Sequence, residues 1–553
     1  MQERQRSGLL RTPVIVVAVA VALVAVALVT VRVVNGAGGS CSGGVRLLVA
    51  AAPEIEPAVR EVADRFAAGK PEVGGDCVQV QVKAADSADV AGLLAARAGG
   101  GVVPGASAAP SPAPGDVPTV WIPDSSAWLT RVQGVDREAF DAQVTSVAVS
   151  PVVFAASEPV ATALGSHTVG AAQVGTLLGK VSAKQLQIGS VDPRRSTAGL
   201  AGAGLLYDSI VTDPKKLVDM VRAYRSIALA ADQPTLLKNA AGGQAVITSE
   251  QQVLAAPAGD LVALPLDPAV TLDYPFAVVA GQPPASLAAA EMLRATLANA
   301  DRGAFARRGF RGADGSTGAT FPTGHGVSQG ESQVRPLSDE RKITDVLGYW
   351  NATTAPSRVL TLVDVTSSMN RPIVKGGPAR LEVLRKTATD GLGLFTDDSE
   401  LGLWAYASGL PGGKDYQQVV PVSQLNKGQR ARLTSAVAAA KAAPTDVCGL
   451  YDTVLAAYQS LKEGYKEGRS NTVVVFTDGS NSKSGMSLET LQLELERATD
   501  PTRPVRVVLL GIGPDVHKEE LDAIAATTGG RAFVVQDPEQ IGNIFLQALI
   551  RSS

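Results

Sequence analysis

The sequence predicts an N-terminal transmembrane helix followed by two α/β domains, the second of them a doubly wound parallel sheet. Three observations lead to this prediction. An apolar run, Val14–Val31, approaches the ~20 residues that a helix needs to span a bilayer. Short apolar strands alternate with amphipathic helices over residues 45–310, which is typical of an α/β sheet. The same alternation returns over residues 338–553, where polar side chains follow the ends of apolar strands.

The N-terminal segment predicts the compartment. The arginines that precede the apolar run are Arg4, Arg6 and Arg11. By the positive-inside rule, residues 1–12 form a cytoplasmic tail, residues 13–34 an anchor, and the rest lies outside the cytoplasm. A cleaved signal peptide is the other interpretation, although its apolar region is normally ~7–15 residues long. We therefore expect a single-pass protein of the cell membrane, with a Gly- and Ser-rich stalk over residues 35–44.

Composition excludes one class of partner. The 553 residues are 45% hydrophobic and 19% charged, with a formal net charge of −3. Such a balance gives no electrostatic reason to expect nucleic acid. Aromatic residues make up only 4% of the chain, which also argues against base-stacking surfaces.

The cysteines fit an external location. Cys41 and Cys77 flank the first strand–helix unit, and a disulfide between them is permitted outside the cytosol, with two free thiols as the alternative. Cys448 is expected to be a small buried apolar residue. The histidines are far apart in the sequence and there is no Cys-x-x-Cys, so neither zinc nor haem is indicated.

Oxygen-bearing side chains follow two strands of the predicted C-terminal sheet. Asp364, Thr366 and Ser368 leave the end of one apolar strand, and Asp478 ends another, within Thr-Asp-Gly. Thr445 lies between them, just before a helix. Such side chains meet at the carboxyl edge of a parallel sheet, and their oxygens suit a hard divalent cation. Capping of a helix by the Asp-Val-Thr-Ser-Ser segment is the other interpretation.

The order and spacing of these three segments resemble the metal-ion-dependent adhesion site of von Willebrand factor A domains. The resemblance covers about residues 340–550 and carries over the five positions just named, with Thr366 where the family usually has serine. It implies a divalent cation, with Mg²⁺ expected and Mn²⁺ or Ca²⁺ as alternatives, and a protein partner that offers an Asp or Glu to it. No histidine, activated nucleophile or acid–base pair accompanies the segments, so no catalysis is expected.

Several strings between residues 45 and 310 resemble two-lobed bacterial extracellular solute-binding proteins. They include Gly189–Gly199, Ile247–Gln252 and Leu272–Phe276, and the resemblance ends at a closing helix with Gly309-Phe310-Arg311. The resemblance implies a cleft between two lobes that binds a small solute or glycan, and helix capping is the alternative for each polar position. The cleft candidates are Trp121, Asp124, Ser125, Asp192, Ser196, Thr197 and Ser249.

Together these observations predict a non-enzymatic, extracytoplasmic binding protein. A periplasmic-binding-protein-like domain (45–310) is joined by a linker (311–337) to a Rossmann-like von Willebrand factor A domain (338–553). The expected activity is metal-dependent protein binding, coupled to ligand sensing by the first domain. A solute receptor or accessory subunit of a transport system is the alternative. An enzyme subunit akin to metal-insertion machines is disfavoured by the external location.

Overall fold

The computed structural model describes residues 44–102, 117–256, 261–299 and 303–536, apart from gaps at 142, 166, 184, 213–216, 394, 480, 482–484 and 501–502. The predicted cytoplasmic tail, anchor and nearly all of the stalk lie outside these residues. None of the helices in this part of the chain combines the length and the apolar composition of a membrane span.

Two α/β lobes occupy the first half of the described chain. Their elements are β1 (Gly44–Ala51), α1 (Glu56–Ala68), β2 (Glu72–Val73), β3 (Asp76–Ala84), α2 (Ser87–Arg97), β4 (Val120–Ile122), α3 (Ser126–Gln133), β5 (Thr145–Ser146), β6 (Ser150–Ser157), α4 (Glu158–Leu164), β7 (Val169–Gly170), α5 (Ala171–Ser182), β8 (Ile188–Val191), α6 (Thr197–Thr212), α7 (Leu217–Ser226), β9 (Ala228–Ala230), α8 (Gln233–Ala241), β10 (Ala245–Ser249), α9 (Glu250–Ala255), β11 (Leu261–Asp267), β12 (Thr271–Leu272), β13 (Pro275–Val278), α10 (Pro284–Asn299) and α11 (Gly303–Ala306).

Each lobe has its own sheet. The first has the strand order β2–β3–β1–β4–β13–β5, and the second has β7–β11–β6–β10–β8–β9, with β12 paired to β6. The chain enters the second lobe between β5 and β6 and returns between β12 and β13. Strand β6 is buried along almost its whole length because β10 and β11 flank it, which explains its continuous apolar sequence.

The segment predicted as a linker, 311–337, is packed against the second lobe in the structure. Arg311 is buried and forms a bidentate ion pair with Glu250, with nitrogen–oxygen distances of 2.6 and 3.0 Å. The same guanidinium donates to the carbonyls of Ser328 and Gly330, both at 2.6 Å. One buried arginine thus holds both ends of a segment that has no apolar periodicity from which packing could be predicted.

Helix α12 (Glu340–Thr354) belongs to the first core, although the predicted boundary placed it in the second domain. It begins at Asp339, whose side chain caps the helix by accepting from the Lys342 amide. Its buried face includes Trp350, whose ring lies 5.4 Å from that of Tyr224 in α7. The structural boundary between the two units therefore falls near residue 355. The helix is amphipathic, and its sequence alone does not say which core covers its apolar face.

The C-terminal unit is a doubly wound α/β domain, as predicted. Its elements are β14 (Ser357–Asp364), α13 (Arg380–Leu392), β15 (Glu400–Tyr406), β16 (Tyr416–Gln424), α14 (Lys427–Ala439), α15 (Leu450–Glu463), β17 (Ser470–Thr477), α16 (Leu488–Ala498), β18 (Val505–Ile512), α17 (Lys518–Thr527) and β19 (Ala532–Val535). The strand order is β16–β15–β14–β17–β18–β19, with apolar clusters on both faces. Strand β16 is an antiparallel edge strand, so the sheet is not wholly parallel as predicted.

Two of the three cysteines lie in the described chain. Cys77 is in a disulfide, and Cys448 is a buried free thiol. Cys41 lies outside the described residues, so its pairing with Cys77 stays a prediction. Burial raises the pKa of the Cys448 thiol, and the nearby charge of Asp364 raises it further.

Candidate metal centre and interlobe cleft

The predicted metal ligands lie at the carboxyl edge of the C-terminal sheet. Strands β14 and β17 are parallel neighbours, with Val363 opposite Phe476. Asp364 ends β14, and Asp478 follows β17 directly. Neighbouring strands lie on both sides of β14, so its carboxyl end opens at the point where the winding direction changes, where α/β sheets usually bind ligands.

The Asp364 loop brings three oxygen-bearing side chains together. Thr366 donates to Asp364 Oδ1 from both its backbone nitrogen, at 2.9 Å, and its hydroxyl, at 2.6 Å. The hydroxyls of Thr366 and Ser368 lie 2.7 Å apart. Thr366 is extended, and a short 3₁₀ helix, Ser367–Asn370, follows it. All three side chains are buried.

Asp364 is a buried carboxylate whose second oxygen is unsatisfied. Its Oδ2 has no hydrogen-bond partner of good geometry in the described chain, although the Asp478 backbone amide lies close enough to this carboxyl group to lower its pKa. Burial raises the pKa of Asp364 to about 7, and the negative charge of Asp478 adds to this effect. An orphaned carboxylate oxygen beside two converging hydroxyls fits a hard divalent cation, which prefers oxygen ligands. The described residues contain no group of three or more His, Cys, Asp or Glu that could hold a metal, so the fit depends on hydroxyls.

Thr445 reaches this edge through its backbone. The Ser367 amide donates to the Thr445 carbonyl at 2.8 Å, which joins the two loops. The Thr445 hydroxyl accepts from the Val447 amide at 3.1 Å. A hydroxyl has two lone pairs, so this bond leaves it able to ligate a cation. The structure thus brings all five predicted residues to one edge, with Thr445 the least closely tied to the others.

Arg380 is the residue of this site that sequence reasoning missed. It begins α13 and donates to Asp478 Oδ2 at 3.1 Å, although 98 residues separate the two in sequence. A sequence signal did exist, because an arginine in the first turn of a helix opposes the helix dipole. An arginine at such a position usually has an acidic partner nearby in the fold, and here that partner is Asp478.

The predicted cleft residues are divided between the two lobes, and many of them bond within their own loops. The hydroxyls of Ser125 and Ser249 cap α3 and α9, and Ser196 accepts from the Gly199 amide at 3.1 Å. Trp121 is fully buried against Phe140, with ring centroids 5.8 Å apart. Helix capping, the alternative interpretation, accounts for the serines.

The remaining cleft residues form ion pairs or bridge the lobes. The Thr197 hydroxyl of the second lobe donates to Asp124 of the first lobe at 3.1 Å. Asp192 pairs with Arg194, at 2.5 Å. Across the same gap, Arg195 reaches Asp86 at 3.1 Å and Asp89 at 2.7 Å.

Glu54, which was not predicted, forms an acidic pair with the predicted cleft residue Asp124. Glu54 follows the first strand and accepts from the Tyr274 hydroxyl at 3.0 Å. Burial raises the pKa of Asp124 to about 7, and the charge of Glu54 contributes to the rise. Burial also raises the pKa of Glu54.

Comparison with known proteins gives the class of each half. Residues 47–311 match the family of bacterial extracellular solute-binding proteins, and residues 359–547 match the von Willebrand factor type A domain. The chain therefore carries a solute-binding domain followed by an A domain, and the predicted resemblance is confirmed at this level. Both classes are of a binding type.

Particular relatives are more distant. A protein described as uncharacterized, from two strains of Mycobacterium tuberculosis, is 25% identical over 538 residues, covering 89% of this chain and 75% of the relative. Among solved structures, a von Willebrand factor type A protein from Catenulispora acidiphila is 18% identical, with a TM-score of 0.30, covering 36% of this chain and 43% of that one.

Two further structures are similar to parts of the chain. Proximal thread matrix protein 1 of the mussel byssus, whose adhesion motif holds zinc, has 16% identity and a TM-score of 0.28, covering 39% of this chain and 53% of its own. The substrate-binding domain of a protein described as a molybdenum ABC transporter from Clostridium difficile has 12% identity and a TM-score of 0.31, covering 48% of this chain and 98% of its own.

Proposed function

We propose that this protein binds a partner protein through a divalent cation held at the edge of its A domain. The observation that carries the proposal is the orphaned Oδ2 of Asp364, buried beside the hydroxyls of Thr366 and Ser368. A buried charged oxygen without a partner is costly. A cation at this point would remove that cost.

The residues have separate roles in this proposal. Thr366 and Ser368 present hydroxyl oxygens, and Asp364 presents its free carboxylate oxygen. Asp478 and Thr445 border the same space from β17 and from the loop before α15. When bound, a divalent cation supplies an electrophilic point for a carboxylate oxygen of the partner. These five residues hold only two formal negative charges, so an Asp or Glu of the partner is the expected additional ligand. The expected cation is Mg²⁺.

The location of this activity is also a proposal. The apolar segment 13–34 would anchor the chain in the cell membrane, with both domains outside the cytoplasm. Coupling between the domains is supported by α12, which packs in the first core and is separated from β14 by two residues. In addition, Arg225 of the first domain donates to the Thr353 carbonyl at 2.6 Å and lies over the Phe395 ring of the second.

The role of solute receptor or transport accessory stands second. Its cleft candidates bond to one another across the lobes, through Thr197 and Asp124, or cap local helices. A solute would have to replace those bonds. A thermal shift on addition of a solute, with no partner present, would favour this role.

Cation titration of the whole protein tests the proposal. We expect Mn²⁺ or Mg²⁺ to bind wild type with measurable heat and to raise its unfolding temperature, and Asp364→Asn to abolish both effects. The matched control is Asp522→Asn, which removes an exposed carboxylate on α17. Retention of a cell-envelope protein should then require the cation and be lost in Asp364→Asn. Equal cation affinity in wild type and Asp364→Asn would contradict the assignment of the cation site to Asp364.

A further inference from the structure

Arg380 is a buried cation inside the proposed metal centre. Its side chain is 3% exposed and lies between two carboxylates. One guanidinium nitrogen is 3.1 Å from Asp478 Oδ2, and the other is 2.6 Å from Asp515 Oδ2. Asp478 is as buried as the arginine, whereas Asp515 is 64% exposed. The arginine therefore links the metal-site carboxylate to the protein surface.

The fold provides a dedicated socket for this guanidinium. Gly513 follows β18 with a φ of +113°, and a Cβ there would lie 2.8 to 2.9 Å from the arginine head group. Only glycine meets both requirements, the backbone conformation and the space. The Arg380 amide also donates to the Arg371 carbonyl at 2.9 Å, which fixes the start of α13. Backbone at Gly513 therefore packs against the guanidinium, and backbone at Arg371 fixes the start of its helix.

The hydrogen-bonding groups of Arg380 are not all satisfied in this socket. Its Nε is buried and has no hydrogen-bond partner within the described residues. A buried charge is retained at such cost when it compensates another charge. Here that charge is Asp478. Without the arginine, its negative charge would be uncompensated beside the negative charge of Asp364.

We infer that Arg380 is a positioning residue that sets the cation affinity of this site and keeps Asp478 from binding the cation directly. The inference rests on the proposed function. The guanidinium occupies an oxygen of Asp478 and adds a positive charge, and both effects weaken cation binding. A weakly neutralised cation keeps its attraction for a carboxylate from outside. Asp515 shares the arginine and so limits how strongly it holds Asp478.

Two substitutions should change affinity in opposite directions. In Arg380→Gln the opposing charge is gone, so Asp478 becomes available and the dissociation constant for Mn²⁺ should fall about tenfold or more. In Asp515→Asn the arginine has only Asp478 left, so that constant should rise about threefold. Asp515 is largely exposed, so its variant should fold even if Arg380→Gln does not.

The experiment is calorimetric titration of the full-length protein with Mn²⁺, and then with Mg²⁺. Arg497→Gln is the matched control, because it removes an exposed positive charge from α16 of the same domain without touching the site. Its dissociation constant should equal that of wild type.

Failure of the inference is distinct from failure of the proposed function. If wild type binds Mn²⁺ through Asp364 but Arg380→Gln and Asp515→Asn stay within about twofold, or shift in the same direction, Arg380 is only structural. If wild type shows no binding and Arg380→Gln binds, the inference holds and the proposed function fails for wild type. If no variant binds, both are overturned.

Discussion

Asp124 in the cleft and Asp364 at the A-domain edge face the same electrostatic problem. Burial raises the pKa of each to about 7, and a second carboxylate adds to the rise, Glu54 for one and Asp478 for the other. The solutions differ. Asp124 accepts from Thr197 across the lobes and Glu54 accepts from Tyr274, so each carboxylate has a partner within the chain. Asp364 keeps one oxygen without a partner.

The difference shows what marks a site that still needs a ligand. A raised carboxyl pKa is common to both places, so it does not discriminate between them. What discriminates is whether the polar atoms are satisfied by their own chain. By this criterion the Asp364 carboxylate needs a further group, whereas the Asp124 and Glu54 carboxylates are bonded within the chain. In the described chain, the cleft retains unpartnered donors of another kind, among them the indole nitrogen of Trp121.

The largest expected effect comes from the buried Arg311–Glu250 ion pair, which fixes the 311–337 segment on the second lobe. Glu250→Gln leaves Arg311 buried without its counter-charge, and loss of one partner of a buried pair costs about 3–5 kcal/mol. We expect urea unfolding to show that loss and limited proteolysis to cut within residues 312–336. Cation affinity should not change, because the pair is remote from the A-domain site.

The control is Glu291→Gln, which removes the carboxylate of an exposed pair with Arg294. Exposed pairs contribute about 0–1 kcal/mol. If both variants lost the same small amount of stability, the segment 311–337 would not be held by the buried pair.

The next effect compares two buried threonines, one in each region. Thr366→Val removes a hydroxyl that lies 2.6 Å from Asp364 and 2.7 Å from Ser368, so Mn²⁺ affinity should fall. We expect a loss of about 100-fold, or roughly 2.7 kcal/mol. Thr197→Val removes the bond to Asp124 and should cost about 1 kcal/mol of stability while leaving the affinity unchanged. Calorimetry measures the Mn²⁺ affinity of both variants, and urea unfolding measures their stability. Equal Mn²⁺ affinities of Thr366→Val and Thr197→Val would contradict the prediction.

The last contrast is the pH dependence of stability in the absence of cations. The folded pKa of Asp124 lies at about 7, above its ordinary value of 3.8, so the folded state holds this proton more tightly. Stability from this group is complete below the unfolded value and is lost as the pH rises through about 7. Asp124→Asn should therefore flatten the decline in the free energy of unfolding between pH 4 and pH 7.

This measurement is urea unfolding in EDTA, with Asp64→Asn on the exposed side of α1 as control. Part of the slope should remain in Asp124→Asn, because Asp364 has a similarly raised pKa. A slope unchanged from wild type would show that the cleft carboxylate is already compensated in the folded state.

Sequence reasoning went furthest where the signal is local. Apolar strands that end in polar residues placed Asp364 and Asp478 at one sheet edge, since parallel strands end on the same side. It did not foresee β16, whose Gln- and Ser-containing sequence has one face open to solvent and resembles a loop. It assigned α12 to the second domain, because the apolar face of an amphipathic helix does not indicate which of two cores it packs against.

The sequence by itself determined the order of two α/β units and the set of oxygen side chains at the A-domain edge. It also led to the prediction of a membrane anchor. These follow from periodicity and from motifs a few residues long. Only the tertiary structure decided which of those side chains are satisfied. Arg380 meets Asp478 across 98 residues, and Thr197 meets Asp124 across 73. The physical reason is that desolvation and hydrogen bonding depend on which residues the fold brings together, and no local pattern encodes that.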